Sequence, residues 1–219
     1  MYKRTIKEWF IRSLILMTGL IIAHLGVTLF LLSDLGSDPF NVLIQGITGK
    51  LAEIPGLTFI THGRVHMGIC IIIMLALLMI DRSYIKIGTI LCMFCGGPII
   101  DFFTWLLSPV AGAFHALAAR ILMVTLGCVV LAYGMTIVIK SDAGTGPNDL
   151  VAVVASDKLK KKFSIIRLIT DALFTLAGFL LGGTVGAGTL ICIVLVGPVA
   201  GIFLPVNEKI VNTMVRKFI

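Results

Sequence analysis

The sequence predicts an all-α polytopic membrane protein of six transmembrane helices, built as two inverted three-span repeats, each with a short half-helix after a Gly/Pro break. Three observations carry this: composition, a series of long apolar runs, and an internal duplication. Of the 219 residues, 58% are hydrophobic and 13% charged, and the mean hydropathy is +1.08. Soluble domains hold roughly 45–50% apolar and about 25% charged residues, so a water-soluble globule of this size could not hide so much apolar surface. Disorder, collagen and coiled coil fail on the same figures.

The first apolar run, residues 11–33, follows Lys3, Arg4, Lys7 and Glu8. It is too long for a signal-peptide core of about 7–15 residues and matches the roughly 20 that cross a bilayer. Further spans are predicted over 65–81, 86–107, 120–139, 165–182 and 187–204. Two stretches break the serpentine. Leu35-Gly-Ser-Asp-Pro-Phe-Asn41 and Ala143-Gly-Thr-Gly-Pro-Asn-Asp149 each place glycine and proline before a short, mostly apolar run. Proline at the first helical position lacks only an N–H that would be unpaired anyway, and Asp38 is a suitable cap before Pro39. The runs, 39–50 and 147–158, are too short to cross. They are expected to be half-helices.

The duplication appears on shifting the sequence by 108. Arg12, Leu14, Gly19, Gly26, Thr28, Ser33, Asp34, Gly36 and Pro39 then meet the same residue types at 120, 122, 127, 134, 136, 141, 142, 144 and 147. A shift of 100 superposes Gly88, Thr89, Cys92, Gly97, Pro98 and Phe103 on Gly188, Thr189, Cys192, Gly197, Pro198 and Phe203. The repeats are assigned to 1–108 and 109–219. Three crossings per repeat is odd, so the second copy enters from the opposite side, as in many secondary transporters.

Charge agrees with six spans. With both termini cytoplasmic, only Lys50, Arg64 and Arg120 of the 18 basic residues fall outside, the bias that orients helices during insertion. The run from Lys158 to Lys162 is a topology signal, which argues against nucleic acid as a partner despite the net charge of +7. Expected partners are the lipid bilayer, a small-molecule substrate and a second copy in a homodimer. Cys70, Cys92, Cys95, Cys128 and Cys192 lie in apolar runs, where thiols act as small hydrophobes. Cys92-Met-Phe-Cys95 lacks a second ligand pair, so neither metal nor cofactor is expected. Nucleotide, zinc-protease and nucleophile-elbow motifs are absent, and an enzyme is not expected.

Candidate substrate-binding residues cluster at the half-helix starts: Gly36, Asp38, Pro39 and Asn41, and Gly144, Gly146, Pro147 and Asp149. Helix starts carry unpaired N–H groups and partial positive charge suited to an anion. Arg167 and Asp171, four apart, share one face of span five and either pair statically or serve substrate. His24, in mid-span, and Asp101, after Gly97-Pro98, are candidates for proton or ion coupling. Arg64 and His66 add positive potential near span two. Gly19, Gly26, Gly127 and Gly134 permit close helix packing.

At these motifs the chain resembles the bacterial YczE/YyaS/YitT-type multispan membrane proteins. The carriers are Gly144-Thr-Gly-Pro-Asn-Asp149, Arg167 with Asp171, Leu181-Gly-Gly-Thr-Val-Gly-Ala-Gly-Thr189 and Gly197-Pro198, with Gly36-Ser-Asp-Pro-Phe-Asn41 as the first-half counterpart. Asn41 replaces the acid that the pattern leads one to expect there. The resemblance implies a bacterial inner-membrane protein with a transporter-like role. The expected function is a small secondary transporter of an anionic or zwitterionic metabolite. The alternatives are the substrate-binding membrane subunit of an energy-coupling-factor importer, a channel with paired half-helices, and a non-transporting scaffold.

Overall fold

The computed structural model describes residues 5–57, 59–111, 116–161 and 163–218, without the side chains of Phe163 and Ser164. Lys3, Arg4 and Lys162 of the charge argument lie outside the described residues. The described residues form eight α-helices and no strand: α1 Ile6–Ser33, α2 Pro39–Ala52, α3 His62–Ile80, α4 Ile87–Ala111, α5 Leu117–Ser141, α6 Pro147–Leu159, α7 Phe163–Leu180 and α8 Ala187–Phe218. A 3₁₀ turn, Arg82–Tyr84, joins α3 to α4.

Local chemistry fixes the boundaries. Thr5, Asp38 and Thr61 cap α1, α2 and α3, each side chain accepting from the N–H three residues on, which satisfies a donor the helix cannot use. Pro39 and Pro147 open α2 and α6. Asp34 and Asp142 end α1 and α5 in the same left-handed conformation, both at φ 53°.

Five helices (α1, α3, α4, α5 and α8) are long and apolar enough to cross a membrane among the described residues. The sixth expected crossing, α7, spans 18 residues. That is about 27 Å of helix, and Arg167 and Asp171 sit in its first half. The last helix is longer than the span predicted within it: α8 continues past 204 to Phe218. Its extension is held by Asn207, Val211 and Val215, a buried stripe at four-residue spacing.

The centre of the molecule is the pair α1 and α5, which run antiparallel. Gly19 packs on Gly134, and Gly26 on Gly127. A Cβ on Gly26 would lie 2.5 Å from the Leu131 amide, and one on Gly19 would lie 2.8 Å from the Gly134 carbonyl. Backbones this close require glycine. Leu16, Phe30, Val124 and Cys128 fill the same seam. Outside it, α4 packs on α1 and α8 on α5, while α2 and α6 both lie against α3 and α7.

Matched polar contacts lace the halves together. Gly188 N–H donates to the Leu35 carbonyl at 2.7 Å, and Gly88 N–H to the Ala143 carbonyl at 2.9 Å. Arg12 donates to the Ser141 carbonyl at 3.0 Å, and Arg120 lies 3.7 Å from Asp34. Each arginine, near the start of one central helix, thus neutralises the end of the other, where carbonyls are unpaired and the dipole is negative. At the basic face, Lys158 pairs with Asp81 at 2.8 Å and Tyr84 donates to Asp157 at 2.9 Å.

Candidate functional site

The two half-helix starts have one backbone design. Gly36 and Gly144 take φ of 107° and 142°, a region that only glycine enters freely. Each is also walled in: a Cβ on Gly144 would sit 2.7 Å from the Thr89 amide, and one on Gly36 would sit 2.8 Å from the Gly186 amide. These two glycines turn the chain against the start of another helix. Gly146 precedes Pro147 as the cap of α6.

Beyond the turns the chemistry diverges. At α2, Asp38 accepts from the Asn41 amide at 3.3 Å and from Asn41 Nδ2 at 2.7 Å. Asn41 Oδ1 faces His62 Nε2 at 2.9 Å. Because Nδ2 is used on Asp38, Oδ1 is the acceptor and His62 Nε2–H the donor. At α6, Asp149 takes the place of Asn41. Arg167 Nη1 donates to Asp149 at 2.6 Å and Nε to Asp171 at 3.0 Å. The guanidinium bridges two carboxylates. The side chains of all three residues are about one-third exposed (33%, 30% and 27%).

The two networks form one cluster. Asp38 interacts electrostatically with Arg167 and Asp149, and Asp149 with His24. Two carboxylates thus share one guanidinium, with Asp38 within its field, leaving an excess of negative charge when all are ionised. A series of edge-to-face rings backs the cluster: His24 to His66 at 5.6 Å, His66 to Phe40 at 5.3 Å and Phe40 to Phe174 at 5.4 Å. Such pairs hold orientation as well as area. His24 Nδ1 meets the Leu20 carbonyl at 2.9 Å and so carries the proton. Its Nε2, and that of His66, converge on Gly96 of α4, where a Cβ would lie 2.9 and 3.2 Å from them. His66 Nδ1 is buried without a partner among the described residues.

Of the candidate residues, the structure brings Asp38 to Asn41 and Arg167 to Asp149 and Asp171, and it adds His62, Phe40 and Phe174 beside them. Their only sequence signal is position, since His62 opens α3 and Phe40 follows Pro39. Asp101 lies elsewhere. It accepts from Thr61 Oγ1 and from the Gly63 amide, closing the start of α3 beside a cleft of about 350 Å³. Arg64 also stays out of the cluster: it is exposed, donates to the Phe59 carbonyl and lies over the Phe59 ring.

Comparison with known proteins sets this architecture in a family. A family of unknown function, DUF6198, matches residues 10–205. The chain belongs to this family. It is 25% identical over 212 residues to the Bacillus subtilis membrane protein YczE, covering 96% of this chain and 94% of that one. It is 24% identical over 191 residues to YyaS of the same organism, covering 87% and 91%. A Haemophilus influenzae protein is 28% identical over 196 residues, covering 90% and 84%. The relatives are thus matched almost end to end, and the YczE/YyaS-type resemblance holds across both halves. No solved structure matches.

Proposed function

We propose that this family member is a small secondary transporter of the bacterial inner membrane, binding a zwitterionic metabolite between its two half-helix starts. In this reading α7 is the sixth span, the halves are inverted repeats, and both termini are cytoplasmic. Antiparallel α1 and α5, with each glycine packed on the other's repeat equivalent, support the inversion. Two conformations related by exchanging the states of the halves then have similar energies, which is the basis of alternating access.

The observation that carries the binding assignment is the bridging of Asp149 and Asp171 by Arg167, opposite Asp38. Charges within the bilayer region are expensive and are kept where they act. A ligand carboxylate competes for the guanidinium, and its ammonium takes the carboxylate so released. A simple anion would leave the freed acids unpaired. The excess of negative charge therefore favours a zwitterion over a simple anion. A second reading, a non-transporting scaffold, draws on the same saturated pairing, which also suits a static brace.

The experiment is ligand-dependent thermal stabilisation of purified protein over size-matched carboxylates, amines and amino acids. A ligand that binds only the native state raises its stability. Amino-acid-like zwitterions should raise Tm, and Arg167→Lys and Asp171→Asn should each abolish the rise while the protein stays folded. Liposome uptake of the stabilising compound tests transport. Stabilisation by amines alone would overturn the charge assignment. No response across the whole series would favour the brace.

A further inference from the structure

We propose that the groove between α1, α5 and the extension of α8 is a binding site for one acidic phospholipid of the leaflet at the basic face. This rests on the chain spanning the bilayer and not on transport. The groove encloses about 760 Å³ and exists because α8 continues past the point where its apolar run ends. Asn207 anchors that extension: its Nδ2 donates to Thr136 Oγ1 at 2.6 Å and to the Tyr133 carbonyl at 3.3 Å. On α8, Ile210, Val211, Met214 and Phe218 form one wall. Phe10, Leu14 and Thr18 of α1 form the opposite wall.

Charge and length select the occupant. α1 begins and α8 ends at the same end of the groove, so Lys7 and Lys217 both stand at its mouth. Neither has an ion-pair partner among the described residues. The groove follows α1 from Lys7 to Ile22, a rise of about 22 Å. One leaflet offers about 15 Å of hydrocarbon plus its headgroup layer. An acyl chain along the apolar walls therefore brings its phosphate to the two lysines. A soluble anion would leave those walls unused. A second copy docked face to face would bring its own lysines against these, a like-charge contact in a self-complementary interface.

Native mass spectrometry of the full chain, titrated with phosphatidylglycerol or chain-matched phosphatidylcholine, tests the site. Phosphatidylglycerol should be retained preferentially. Each of Lys7→Gln and Lys217→Gln should weaken it about fivefold, from the roughly 1 kcal/mol that a basic residue contributes near an anionic surface. The double variant Lys7→Arg with Lys217→Arg should bind as wild type, which separates charge from misfolding. Leu14→Trp, filling the groove with both lysines intact, should remove the tightly held lipid. Equal retention of the two lipids, or undiminished binding in the double Gln variant, overturns the proposal. So does a lipid-independent dimer that Leu14→Trp dissociates, which would assign the groove to a second copy.

Discussion

At the start of α2 the polar chain runs Asp38, Asn41, His62, whereas at the start of α6 it runs Asp149, Arg167, Asp171. The first network holds one carboxylate and no permanent cation; the second holds two carboxylates and a guanidinium. Yet the backbones beneath them correspond turn for turn, from the aspartate caps to the packed glycines and the opening prolines. The frame is constrained by close backbone contact, which tolerates no β-carbon, while the side chains that emerge from it are free to differ. Two like turns thus carry unlike polar networks.

Removing the guanidinium should break that contrast most severely. Arg167→Ala leaves Asp149 and Asp171 facing each other unpaired. Breaking a buried ion pair costs about 3–5 kcal/mol; partial solvent access here lowers that to about 2–4 kcal/mol. Unfolding in detergent or nanodiscs should register the loss, and adding Asp149→Asn with Asp171→Asn should restore most of it. Persistent instability in the triple variant would mean that the guanidinium is needed for packing and not for charge. Next come the paired turns. Gly36→Ala and Gly144→Ala each force a β-carbon into a left-handed backbone and against a neighbouring amide, costing about 1–3 kcal/mol. The two losses should agree within about 0.5 kcal/mol if the frames are equivalent, a spread typical of independent sites.

Asn41→Ala probes the neutral side, where it strips Asp38 and His62 of their shared partner. Its cost should be about 1–2 kcal/mol, that of a partly buried hydrogen-bonding group left unmade, and clearly below that of Arg167→Ala. Equal costs would show that charge is not what distinguishes the halves. The smallest effect lies at the exposed clasp. Lys158, with help from Ser83, holds the Asp81 carboxyl below its ordinary range. A lowered folded-state value gives a stabilising contribution that is present above the unfolded pKa and lost as pH falls through the folded one. Stability from the clasp should therefore be constant from pH 7 down to about 4 and decline only below that. Asp81→Asn should flatten the acid limb, and salt should mimic it at neutral pH.

Much of this was legible in the sequence. The half-helices begin at Pro39 and Pro147 as read, because proline, glycine and an N-cap act locally. Arg167 with Asp171 was visible because helical spacing alone puts them on one face. The third member, Asp149, was visible as a member of the Gly/Pro motif, but its bond to Arg167 joins two helices and has no local signature. His62 was invisible for the same reason, as its role arises only when α3 lies beside α2. That α8 runs beyond the predicted span was not legible, because Asn207, Glu208 and Lys209 end the hydropathy run, whereas the bond of Asn207 to α5 and the burial of Val211 and Val215 continue the helix.

The α1–α5 seam has a further consequence. Gly19 lies against Gly134 and Gly26 against Gly127, so each glycine touches the repeat equivalent of the other. That reciprocity defines an isologous interface, the kind by which identical subunits pair about a two-fold axis. The seam thus has the pairing pattern of such an interface within one polypeptide. A bulkier residue on either helix cannot be absorbed within that helix; it needs a compensating reduction on the facing one.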